Sequence, residues 1–183
     1  KMYNFLNQYD IKNPDSWDKA ERTSIREFNL MYKTRQWVIQ DSSADIYLRP
    51  ETAQGIFVNF RNILDTMRVR IPFWIAQIWK SFRNEITPKQ FLFRPREFEQ
   101  MEIEYFVEND EEDAMNYLEN WKNESYNFFI KILGISKDNI KFREHEKDEL
   151  SHYSKATFDI EYNYPWWWDE LEWIAYRTDF DLS

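Results

Sequence analysis

Along the chain the apolar and polar positions change period several times, and each change marks an element. From Phe28 to Leu48, short apolar stretches between polar clusters predict strands and turns, ending in DIYLRP, where Pro50 stops the strand. After ETAQ, residues Ala53, Phe57, Phe60, Leu64 and Met67 recur at helical spacing, which predicts a helix over about 53–66 with one face on a core. Residues 71–85 then alternate with period two, placing Gln77, Trp79, Ser81, Arg83 and Glu85 on one face and Ile78 and Phe82 on the other. The loop ITPKQ leads into a second strand, FLFRPREFEQMEIEYFV, whose Arg94, Arg96, Phe98, Gln100 and Glu102 share a face. Antiparallel pairing through that loop would bring Arg83 and Glu85 beside Arg94 and Phe98. A sheet face so charged is unusual unless something binds there.

From Asp110 the acidic turn DEED opens a helix with Ala114, Leu118, Trp121, Phe128 and Ile132 at apolar positions, and Gly134 stands where a left-handed cap would end it. The remainder predicts a short strand, a charged segment, a strand over Thr157 to Tyr162 and a final helix beginning near Asp169. The fold class is therefore α+β, an antiparallel sheet flanked by helices.

Composition narrows the function. With 183 residues, 43% hydrophobic and 31% charged, the chain reads as one soluble domain or a piece of a larger one, with no apolar run of membrane-spanning length and no signal peptide. It is expected in the cytoplasm, with no membrane partner. Zero cysteines exclude disulfides and thiolate metal sites, and two histidines, His145 and His152, are too few for an imidazole cage, so no metal ligands are assigned. A net charge of −9 argues against nucleic-acid binding through a broad basic face. Glycine is the anomaly, because usage of about 7% would give roughly a dozen, yet only Gly55 and Gly134 occur beside 9 tryptophans.

An Arg-x-Glu pair alone is most often a surface ion pair. Here FRNE is followed by Arg94, Phe98 and Glu102 at four-residue spacing, which resembles motif 2 of the class II aminoacyl-tRNA synthetases. YLRPETAQGIFVNF, SFRNEITP, REFEQMEIEYF, REHEKDELSHYSKAT, DIEY and RTDFDL together resemble the dimeric glycyl-tRNA synthetases, in unbroken order from Phe28 to Ser183.

That resemblance implies a partial class II catalytic-domain fold, with motif 2 at about 68–106 and a helical insertion at about 108–150. Motif 1, motif 3 and the anticodon-binding domain would lie outside these residues, and the fragment is expected to be inactive alone. The implied activity is glycine–tRNA ligation, in which ATP and Mg²⁺ activate glycine to an adenylate before transfer to tRNA(Gly), in a homodimer when the protein is whole. By the same resemblance Arg83 is catalytic, holding the glycine carboxylate against the α-phosphate. Glu85 lies near the adenine amino group, Phe98 stacks on adenine and Arg94 reaches the terminal phosphates. Glu51 and Glu102 surround the glycine ammonium, and Arg177 takes its carboxylate. From the residues alone, an alternative for Glu51 is a carboxylate favoured by a helix N-terminus, and for Arg177 a salt bridge with Asp179 or Glu172. His145 and His152 receive no chemistry. The competing reading is a non-catalytic, synthetase-like module that binds tRNA or a partner subunit.

The chain departs from the family at Trp37, Trp74, Trp79, Trp167 and Trp173, where the family usually has glycine. An indole is expected to clash where glycine serves close backbone approach. A single cause, UGA codons that mean glycine read as tryptophan, would explain all five positions and the glycine deficit.

Overall fold

The computed structural model describes residue 12 and residues 28–36, 44–88 and 92–183. Trp37 lies outside them. Two compact units are formed, the first by Lys1–Pro50 with Lys80–Phe98 and the second by Glu51–Trp79 with Glu99–Ser183.

In the first unit β1 (Lys33–Arg35) pairs antiparallel with β2 (Asp45–Tyr47), Lys33 opposite Tyr47. Asp45 sits between Lys33 and Arg35, at 2.5 and 3.3 Å. The Lys33 ammonium donates to Asp45 and holds that carboxyl below its usual range. The end of β3 (Phe73–Phe82) is tied to this unit, with the Phe82 amide donating to the Arg49 carbonyl and the Asn84 amide to Leu30.

In the second unit α1 (Ala53–Met67) forms where the helical spacing predicted it. Its Ile56, Phe57, Phe60, Ile63 and Leu64 pack against Phe73 of β3 and Phe106 of β4 (Glu97–Phe106). Phe60, Phe73 and Phe106 form a ring cluster with centroids 4.6–5.8 Å apart, and each buried aromatic contributes about 1.5–3 kcal/mol of transfer free energy. β3 and β4 make a two-stranded sheet. The other face of these strands presents Trp74, Ile78, Met101 and Ile103 to solvent.

α2 (Glu111–Asn127) starts at Asp110, whose side chain accepts from the Asp113 amide at 3.0 Å, and Glu111, Glu112 and Asp113 complement the helix dipole. A π-helical turn over Phe128–Ile132 follows, and Gly134 takes the expected left-handed conformation, φ 71. The π turn rotates the apolar stripe, so Phe129 rather than Phe128 or Ile132 is buried, and those two stay exposed. β5 (Ile140–Glu144), β6 (Ala156–Asn163) and β7 (Trp168–Tyr176) make an antiparallel sheet in that order. Its core joins Phe129, Ile140 and fully buried Ile160 with Tyr126, Leu171 and Ile174.

The final helix expected from Asp169 is thus corrected to a strand, β7. A bulge between Ile160 and Glu161 explains the misreading: Ile160 faces Glu172 and Glu161 faces Glu170, so Leu171 is the extra residue. Leu171 and Ile174 then reach the same core three positions apart, imitating helical spacing in a strand.

Candidate active site

In the first unit the site is organised around Arg83, just past β3. Its amide donates to the Arg96 carbonyl at 3.0 Å, and its Nε donates to the Pro50 carbonyl at 3.1 Å. The guanidinium lies over the Phe98 ring, 5.1 Å from Cζ to centroid. One edge and one face are thereby fixed, while Nη1 and Nη2 have no partner among the described residues and the side chain remains exposed. Four N–H donors on a braced guanidinium suit an anion. The expected approach of Phe98 to Arg83 is present. Arg94, however, is exposed and makes no hydrogen bond or ion pair with Glu85; Arg96 instead meets Glu85, its Nε donating to the Glu85 carbonyl at 3.1 Å. The reason is that the second strand begins at Glu97, six residues later than the pattern suggested, so Arg94 lies in the connecting turn.

In the second unit Glu51, Glu102 and Arg177 share an electrostatic neighbourhood centred on a residue the sequence reading did not assign, Glu104. Glu102 and Glu104 project from one side of β4 by strand alternation. Thr52, fully buried, is the N-cap of α1, yet its hydroxyl donates to Glu102 instead of capping the helix. Glu51 accepts from Gln54. Burial lifts the Glu104 carboxyl to about 7, opposed by Arg177 and reinforced by the negative charges of Glu102, Asp181 and Glu51.

Arg177 does form a salt bridge, but with Asp181, through Nε at 2.7 Å and Nη2 at 3.0 Å. Glu172 instead accepts from Ser125, and Asp179 from Asn109. Tyr153 and Phe57 place rings 4.1 and 5.1 Å from the Arg177 Cζ. Thr52, Glu104, Tyr153 and Asp181 were thus missed by sequence reasoning. The available signals were the threonine beside Glu51, the period-two carboxylate after Glu102, and the tyrosine of the SHYSK segment.

The histidines have structural surroundings. His145 Nε2 lies 2.7 Å from Asp159, which Arg143 also bonds, and His152 packs edge-on against Phe180. Among the described residues no group of three or more His, Cys, Asp or Glu is arranged to hold a metal ion.

Of the five anomalous tryptophans, Trp74, Trp79 and Trp167 are 60%, 63% and 74% exposed, and Trp173 is 36% exposed. The expected clash is not what the structure displays; the indoles are accommodated by pointing into solvent. By contrast Trp121 packs on Tyr105, and Trp168 lies under the Lys141 ammonium.

Residues 32–172 match the family described as tRNA synthetase class II core domain (G, H, P, S and T), and the chain belongs to that family. Among its relatives are proteins named glycine–tRNA ligase. That of Mycoplasmopsis synoviae is 55% identical over 180 residues, covering 97% of this chain and 39% of the relative. Those of Clostridium kluyveri and Geobacillus kaustophilus are 56% and 54% identical, each over 100% of this chain and 39% of their own length. The chain thus spans about two fifths of the length of these relatives. Among the described residues no helix is long and apolar enough to cross a membrane.

Proposed function

We propose that this chain is part of the catalytic core of a cytoplasmic glycine–tRNA ligase. Its reaction joins the glycine carboxylate to the α-phosphorus of ATP, expelling pyrophosphate, and then transfers the glycyl group to a hydroxyl of the terminal ribose of tRNA(Gly), releasing AMP. Both reacting groups of the first step, carboxylate and α-phosphate, are anionic, so a cation is needed to hold them together and stabilise the charge that builds at phosphorus.

Arg83 suits that role, and its bracing is the observation that carries the reading: a carbonyl on Nε and a ring beneath the plane leave the η nitrogens for carboxylate and phosphate. Phe98 offers an aromatic face for adenine and Glu85 an acceptor for its amino group. Arg94, exposed in the turn, is available to the terminal phosphates. Mg²⁺ would arrive with the triphosphate and screen its charge. In the second unit Glu51, Glu102 and Glu104 favour an ammonium, and Arg177 a carboxylate. We assign motif 2 to about 68–106 and a helical insertion to about 108–150. Motif 1, motif 3, the anticodon-binding domain and the dimer contacts are assigned to sequence outside these residues, without which the fragment is inactive.

A non-hydrolysable glycyl-adenylate analogue tests the assignment. On the complete protein it should raise Tm by several degrees at saturating concentration, while the alanyl and seryl analogues should not. A shift with another analogue and none with glycyl would move the assignment to a different small amino acid. No shift with any would overturn it in favour of a non-catalytic module.

A further inference from the structure

Arg177 leaves the end of β7 and enters a turn in which Thr178 adopts a left-handed conformation, φ 59. The turn folds Asp181 back, so that its two carboxylate oxygens accept from Nε and Nη2. A fork of this kind fixes the guanidinium plane as well as its charge. Tyr153 and Phe57 flank the same group, and the Arg177 side chain keeps only 12% of its exposure. Phe180, from the turn itself, packs on both His152 and Tyr153, at 5.0 and 6.2 Å between ring centroids. Nη1 alone has no partner among the described residues.

We propose that Asp181 is a positioning residue for the amino-acid site: it immobilises the Nε–Nη2 edge of Arg177 and leaves Nη1 to the substrate carboxylate. Arg177 then offers that carboxylate one guanidinium nitrogen rather than a bidentate fork. The inference rests on the reading of Arg177 as the carboxylate-binding residue. Its physical basis is preorganisation, because an arginine already ordered by Asp181 loses little side-chain entropy when substrate arrives. The opposite arrangement, in which Asp181 occupies the place of the substrate carboxylate and must be displaced, predicts tighter binding when its charge is removed.

The test is glycine-dependent ATP–pyrophosphate exchange by the complete protein, with glycine at positions 37, 74, 79, 167 and 173, as parent and carrying Asp181→Asn or Asp181→Glu. Asp181→Asn should raise the glycine KM about tenfold, the scale of one oriented charge-assisted hydrogen bond, with kcat and the ATP KM unchanged. Asp181→Glu should recover most of the loss. Glycine methyl ester, which has the ammonium but no carboxylate charge, should inhibit Asp181→Asn and parent equally. A merely structural role would move the ATP KM and the ester inhibition constant together with the glycine KM, and that result overturns the proposal. So does an unchanged or lowered glycine KM in Asp181→Asn. If the parent gives no glycine-dependent exchange, or Arg177→Ala leaves the glycine KM unaltered, the underlying reading fails and the role of Asp181 falls with it.

Discussion

Arg83 and Arg177 are held by opposite means, and the difference sets what each can bind. Arg83 is braced by a neutral carbonyl and a ring, so its full positive charge remains for anions. The charge of Arg177 is largely balanced by Asp181, which leaves Nη1 for a carboxylate while Glu51, Glu102 and Glu104 nearby suit an ammonium. Glu104 makes this balance depend on pH. An acid whose folded value is raised stabilises the fold fully below its unfolded value, near 4.5, and that contribution is lost as pH rises through about 7. Relative to Glu104→Gln, the parent should therefore lose Tm between pH 4.5 and 7.5. The ammonium of glycine favours the ionised carboxylate, so glycine binding should strengthen across pH 7 and release a proton. Titration calorimetry of the complete protein in buffers of different ionisation enthalpy should detect that proton in the parent and not in Glu104→Gln. Equal pH profiles for the two would contradict the role given to Glu104.

At the scale of elements, long periodic segments were legible and local departures from period were not. α1 has six apolar positions on one face and lies within a residue of its expected bounds. β7 was misread because a single bulged residue, Leu171, converts a strand pattern into a helical one, and pairing with β6 overrides the helix-favouring Glu and Leu content. In the candidate site, Arg83, Phe98, Glu51, Glu102 and Arg177 were proposed from their motifs. Asp181 became visible only once the turn at Thr178 brought it back. Thr52 reads as a helix cap, and only the folded chain reveals that its hydroxyl serves Glu102. The β5–β6–β7 sheet depends on Ile160, which is fully buried among Phe129, Leu171 and Ile174. Ile160→Ala should cost about 3 kcal/mol, read by chemical denaturation; a cost below about 1 kcal/mol would contradict this packing.

At the scale of the molecule, the surface carries a signature that neither packing nor chemistry explains, with Trp74, Trp79 and Trp167 each more than half exposed. Trp74 joins Ile78, Met101 and Ile103 on the solvent-facing side of β3 and β4, an apolar surface of the kind that promotes association. Reading UGA as glycine would remove these indoles together, and the net charge of −9 would be unaffected. The most direct measurement is amino-acid-dependent ATP–pyrophosphate exchange on the complete protein, made with tryptophan and again with glycine at positions 37, 74, 79, 167 and 173. Glycine, alanine and serine would each be offered as substrate. The account predicts exchange with glycine alone, and only in the glycine version. Absence of exchange in both versions, from soluble and cooperatively folded protein, would contradict it.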